Sequence, residues 1–230
     1  MVTQTLAKAE PEPRRLIASP WHTFLVLMIA GLNAYRAATY ATQARAGLGT
    51  SRSHMYVRTI AFECAFLAVV ALGVWIRRRS LQTIFGPRWR SVKQLLRDLG
   101  IGLGLSFAAI IVVSVLAGHG GPPDGSVAFL PQTPNEMMLW LMVSILAGIC
   151  EEAIYRGYLQ QQFAALTGSV PAGMLISAAA FGGVHAYQGL SRAVVIGISA
   201  ILFGTVAQWR RTVRPGMFAH GLQDAIAPCS

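Results

Sequence analysis

The sequence predicts an all-α, polytopic transmembrane helix bundle of about seven membrane helices with a basic amphipathic interfacial segment. Three observations predict it. Of the 230 residues, 54% are apolar and only 12% are charged, about half the charged fraction of a typical soluble domain, so too few charges exist to coat a globule in water. The apolar residues fall in runs near the roughly 20 residues that a helix needs to cross a bilayer. The 19 Lys and Arg residues gather between those runs. The formal net charge of +10 therefore reads as a membrane-orientation signal. No alternation of basic and aromatic residues points to nucleic acid.

Residues 1–20 form a polar N-terminal tail containing Pro11, Pro13 and Pro20. Arg14-Arg15 has the form of a twin-arginine signal. The apolar run after it lacks a small-residue cleavage site and reads as an uncleaved anchor. Residues 21–118 hold the N-terminal membrane spans. The first, about Trp21 to Tyr35, is short; the second runs from about Ile60 to Ile76 and stops at Arg77-Arg78-Arg79. Residues 81–99 mix Arg88, Arg90, Lys93 and Arg97 with Ile84, Phe85, Trp89, Leu95 and Leu96, which predicts an interfacial segment lying in the headgroup layer. The third span is about Gly100 to Gly118. Gly100 and Gly104 stand in GxxxG spacing, which would allow close helix approach.

Residues 119–135 are an extramembrane loop rich in Gly and Pro and without Lys or Arg. Residues 136–230 form a second membrane domain. Its fourth span starts near Glu136, whose charge suits a helix N-terminus, and reaches at least Cys150. The fifth covers about Val170 to Tyr187 and the sixth Ala193 to Trp209. A short last helix covers about Gly216 to Ala227. No inverted repeat of the transporter kind is visible. The basic residues place the N-terminus in the cytoplasm, although Arg36, Arg45 and Arg52 then fall on the opposite side. Cys64, Cys150 and Cys229 are scattered, form no metal-ligand spacing, and are expected to pack as small apolar residues.

The informative residues are ionisable groups inside apolar helices, where each costs at least about 2.5–3.5 kcal/mol. Glu151-Glu152-Ala153-Ile154-Tyr155-Arg156 places Glu152 and Arg156 four apart, the favourable order for an ion pair. Glu151 then points about 100° away, toward something else. Phe181-Gly182-Gly183-Val184-His185 puts an imidazole one turn after a phenylalanine, beside two glycines that would let another helix come close. His220-Gly221-Leu222-Gln223-Asp224 sets an imidazole and a carboxylate on one helix face. Each alone is compatible with a helix-end or interfacial group. Three such helices converging would assemble what hydrolysis requires: a carboxylate base, an imidazole and groups that stabilise charge. Glu63, inside the second span, would face a watery cavity or pair with an arginine. His22, His54 and His119 fall at or beyond span ends.

In this order the three motifs resemble those of the CPBP intramembrane proteases, which include CAAX prenyl endopeptidases and bacterial Abi-type proteins. That family carries EExxxR, FxxxH and HxxxN or HxxxD, which stand here as Glu151-Glu152-Ala-Ile-Tyr-Arg156, Phe181-Gly-Gly-Val-His185 and His220-Gly-Leu-Gln-Asp224. The resemblance covers about 136–227 and says little of the first hundred residues. It implies a membrane-embedded endopeptidase with catalytic residues Glu151, Glu152, Arg156, His185, His220 and Asp224. In that scheme Glu151 activates water, His185 orients it, and Glu152 with Arg156 braces the helix. His220 and Asp224 stabilise an oxyanion or join a metal site.

Two chemistries stay open. A zinc ion could be held by Glu151, His185, His220 and Asp224 with a position left for water. Alternatively Glu151 and His185 activate water without metal. Asp224 departs from the asparagine form of the motif: an ionised carboxylate cannot donate to an oxyanion, so Asp224 must be protonated, orient His220 through a hydrogen bond, or bind a metal. The resemblance also allows a non-proteolytic immunity or peptide-binding protein of the Abi type. A proton-coupled transporter would use similar groups, but the missing inverted repeat counts against it. The expected partners are a peptide or lipidated protein substrate and membrane lipids, with no nucleic acid. The expected location is the plasma membrane, as a multi-pass protein.

Overall fold

A computed structural model describes residues 15–48, 51–117 and 129–229. The expected tail over 1–14, His119 and most of the 119–135 loop lie outside the described residues. Every regular element among those described is helical. Helix α1 spans Pro20–Arg45, α2 Arg52–Ile76, the single turn α3 Gln82–Phe85, and α4 Val92–Ala117. Helix α5 spans Pro134–Glu151 and continues through a π-helical stretch, Glu152–Leu159, into α6, Gln160–Thr167. Then come α7 Val170–Val184, α8 Leu190–Arg210 and α9 Arg214–Ile226.

Among the described residues five helical stretches are long and apolar enough to cross a membrane: Pro20–Arg45, Arg52–Ile76, Val92–Leu116, Pro134–Thr167 and Leu190–Arg210. Helix α7 is a shorter apolar helix, and α9 has 13 residues. The expected seven thus resolve into five long and two short helices. Side chains such as Phe24, Met28, Phe107, Ile111 and Ile145 face outward, and a bundle in lipid can leave them so because the hydrocarbon is as apolar as they are. The polar residues turn inward.

Helix ends follow local chemistry. Ser19, Ser51, Thr133 and Ser169 each cap a helix by accepting a backbone N–H. At α5 the cap is reciprocal: Thr133 Oγ1 accepts from the Glu136 N–H while Glu136 Oε2 accepts from the Gln132 N–H at 2.8 Å. Helix α1 runs ten residues beyond the expected Tyr35, and α2 starts eight before Ile60. Both extensions include arginines, which a long helix can carry out of the hydrocarbon.

The basic segment 81–99 falls into two parts. Gly86, at φ +87°, and Pro87 break the chain, and residues from Val92 onward belong to α4. The first half is clamped to the protein. Ile84 is buried against Gly157 of the π stretch, Gln161 donates to the Thr83 carbonyl at 2.9 Å, and Thr212 donates to the Phe85 carbonyl at 2.9 Å. Arg214 donates to the Pro87 carbonyl and lies over the Trp89 ring. Arg88, Arg90, Lys93 and Arg97 remain exposed.

Nor does the GxxxG pair mediate helix contact. Nothing lies within 4 Å of a Cβ built on Gly100 or Gly104, whereas one on Gly102, between them, would meet the Pro215 carbonyl at 2.8 Å. Of the cysteines, all free, only Cys150 is buried; Cys64 and Cys229 are exposed. His22 is not an idle span end: its Nδ1 pairs with the Tyr158 hydroxyl at 2.8 Å and its Nε2 with the Val69 carbonyl at 3.0 Å. It ties α1 to α2 and to the π stretch.

Candidate active site

Helix α5 packs against both α2 and α9, and glycine sets the spacing to α9. A Cβ on Gly148 would sit 2.6 Å from the Met217 carbonyl oxygen and 2.7 Å from the Gly221 nitrogen. The backbones of α5 and α9 therefore touch one turn before Glu151-Glu152 and beside His220. Gly216 makes room for a carboxylate, since its Cβ would lie 2.7 Å from Glu152 Oε2. Gly182 lets α8 reach α7, where a Cβ would meet the Ala193 carbonyl at 2.5 Å, but Gly183 faces open space. One of the two glycines beside His185 has the expected role.

The chain leaves α-helical geometry where the acidic motif begins. From Glu152 to Leu159 the hydrogen bonds widen to the π pattern, as when the Gln160 N–H bonds to the Tyr155 carbonyl. Such stretches cluster at functional sites because they rotate side chains off the regular helical positions. Ser177 of α7 also donates to the Tyr155 carbonyl, at 2.7 Å. Glu152 and Arg156 meet across this turn, Oε1 to Nη1 at 2.9 Å, both side chains almost fully buried. The expected pair forms, though on a π rather than an α turn.

Glu152 does more than brace that helix. The same Oε1 lies 3.2 Å from His220 Nδ1. A carboxylate paired with arginine only accepts, so His220 donates through Nδ1 and its ring is oriented from behind. Its Nε2 faces forward, 3.8 Å from Glu151 Oε2 and 3.6 Å from Asp224 Oδ2. The two carboxylates adjacent in sequence therefore address opposite nitrogens of one imidazole. Asp224, expected as one possible orienting partner for His220, lies beyond hydrogen-bond distance; Glu152 holds that position.

His185 caps α7 and sends its Nδ1 to the Phe181 carbonyl at 2.8 Å. A carbonyl accepts, so Nδ1 carries the proton and Nε2 of the neutral ring is an acceptor. Phe181, which opens the second motif, is a hub. Its ring lies 4.7 Å from that of His185 and 5.9 Å, edge-on, from that of His220. The Arg156 guanidinium sits 4.2 Å from its centroid. Phe181 thereby fixes the gap between both imidazoles and the arginine.

Glu151, His185, His220 and Asp224 line one cavity of about 660 Å³, a size usual for small-ligand or peptide side-chain sites. Glu152 and Arg156 stand behind it. The other walls come from α1 and α2 and include Tyr40, Tyr56, Phe62 and Glu63. Aromatic rings crowd the Asp224 end: Trp140 donates to the Asp224 carbonyl at 2.9 Å, and Tyr187 stacks near His185. Glu63 is the residue whose place the sequence left open. It is buried, and its signal was a lone carboxylate inside an apolar span.

A zinc site needs three or four donors converging on one point. Among the described residues no group of three His, Cys, Asp or Glu side chains is set to hold a metal ion.

Residues 133–226 match the family model of the type II CAAX prenyl endopeptidase Rce1-like proteins. The match bears out the resemblance to the CPBP and CAAX proteases and contains all three motifs. No curated protein and no solved structure matches the chain.

Proposed function

With an Rce1-like CAAX endopeptidase domain over residues 133–226 as premise, we propose that this integral membrane protein hydrolyses a peptide bond inside the cavity between α2, α5, α7 and α9. The substrate is a membrane-associated or prenylated protein or peptide. One observation carries the reading. Among the described residues Glu151 Oε2 has no hydrogen-bond partner, and its residue lines a cavity shared with a proton-accepting His185 nitrogen and an oriented His220. A buried carboxylate oxygen left without a hydrogen bond is costly, and water is the donor that hydrolysis supplies.

Water held between Glu151 and His185 Nε2 gives a proton to Glu151 as its oxygen attacks the carbonyl carbon. The carbonyl oxygen turns toward His220, whose Nε2, when protonated, donates to the developing oxyanion. Arg156 and Glu152 act through His220 by holding its ring. Asp224 faces the same Nε2 from the open side and yields to the substrate oxygen. No step in this scheme passes through a metal. The substrate enters from the plasma membrane, with the N-terminus of the chain in the cytoplasm.

The test compares membranes carrying wild type with membranes carrying Glu151→Ala at equal abundance, mapping new peptide N-termini by mass spectrometry. Termini made only by wild type are the expected result and would reveal the substrate. Identical profiles would overturn the protease reading and shift weight to a non-proteolytic Abi-type immunity or peptide-binding role. Metal analysis of the purified protein decides the zinc alternative: one zinc per chain, removable together with activity, would replace the metal-free scheme.

A further inference from the structure

Glu63 lies in the middle of α2, outside all three motifs and outside the segment matched by the family model. It is 4% exposed, and its Oε2 has no hydrogen-bond partner among the described residues. It lines the same cavity as Glu151, His185, His220 and Asp224. The charged groups acting on it most strongly are Glu151, His220 and Asp224. No arginine or lysine pairs with it among the described residues, so the salt-bridge option open in the sequence is not used.

This carboxylate braces no other side chain among the described residues. Asp98, buried elsewhere in the bundle, has both oxygens engaged, by Arg210 at 2.9 Å and Trp89 at 2.8 Å. A buried oxygen without a partner, on a side chain that lines a cavity, is satisfied when an N–H or O–H donor enters. On the reading above, water is taken by Glu151. The other donor that peptide hydrolysis creates is the amine.

We propose that Glu63 is a further catalytic residue, the acceptor that holds the leaving amino group. This rests on the protease reading. The water oxygen bonds to the carbonyl carbon as its proton passes to Glu151. The C–N bond breaks with its electron pair on nitrogen, which takes the proton from Glu151. Glu63 accepts from the N–H groups of that nitrogen as the bond opens. Atoms and charge balance without a co-reactant.

The test has two arms on full-length protein in nanodiscs. In the first, wild type, Glu151→Gln, Glu63→Gln and Glu63→Asp act on a fluorogenic prenylated peptide, with melting temperature as the check on folding. Glu63→Gln is expected to lower kcat about 10- to 100-fold with KM within about twofold, and Glu63→Asp to recover part of it. A folded Glu63→Gln with wild-type kcat would overturn the proposal. The second arm does not depend on turnover or on the variants folding. Wild type is modified with dicyclohexylcarbodiimide, with and without N,N-dimethyloctylamine, whose protonated form donates an N–H but cannot form an amide, and both carboxylates are read by mass spectrometry. The amine is expected to protect Glu63 more than Glu151. Labelling of Glu63 that ignores the amine would overturn the proposal, even where wild type cleaves nothing and the protease reading itself has failed.

Discussion

Two buried acidic clusters in this bundle use similar residues to opposite ends. In one, Asp98 of α4 takes Arg210 of α8 on one oxygen and the Trp89 indole on the other. Its hydrogen-bonding capacity is spent inside the protein. In the other, Glu152 is paired with Arg156 and His220, yet Oε2 of Glu63, Glu151 and Glu152 all lack hydrogen-bond partners among the described residues. Burial alone does not mark a functional carboxylate. A carboxylate with its partners built in is fixed, whereas one on a cavity wall that lacks them is open to a ligand.

That contrast can be broken or sharpened by substitution. The largest effect should come from Arg156→Ala, which leaves Glu152 buried without its arginine and no longer held in place beside His220. Breaking a buried pair costs roughly 3–5 kcal/mol. Thermal unfolding in detergent should show the loss, and cleavage should fall below detection. A near-normal melting temperature would mean that Glu152 finds another partner.

Next is Gly148→Ala. Its Cβ would press on the Met217 carbonyl and Gly221 nitrogen, so α9 must shift and carry His220 away from Glu151. A displacement of about 1 Å can cost about 100-fold in rate, and kcat measured on folded protein is the readout. Gly100→Ala is the matched control. With nothing within 4 Å, it should leave kcat unchanged and gain about 0.5–1 kcal/mol from helix propensity.

Asp98→Asn should separate the two clusters. It weakens the Arg210 contact and costs about 1–3 kcal/mol, read as a lower melting temperature, while kcat per folded molecule stays within about twofold of wild type. A large fall in kcat would show that the Asp98 cluster reaches the site through α4 and α9, which pack together.

Much of this was legible in residue order. Hydropathy revealed an all-helical membrane bundle because the bilayer sets span length and forbids unpaired backbone. The motif spacing located Glu151, Glu152, Arg156, His185, His220 and Asp224, since each stood out as a polar group in an apolar helix. Other features resisted reading. The Gly86-Pro87 break in the basic segment was visible as residues, but which half would clamp to the protein depended on Thr212, Gln161 and Arg214, more than seventy residues away. The GxxxG pair misled because spacing along one helix does not say which face meets a neighbour; Gly102 does, and Gly100 and Gly104 do not.

Residue order by itself determined the bundle and the set of chemically unusual side chains, because insertion cost and helical periodicity act locally along the chain. Tertiary structure alone decided their partners. It turned Glu152 to Nδ1 of His220 and Glu151 toward Nε2, through a π stretch and a glycine contact between α5 and α9. It also brought Glu63 from the N-terminal half to the wall of the same cavity. Those choices rest on helix packing at backbone contact, where a single Cβ decides how close two helices come.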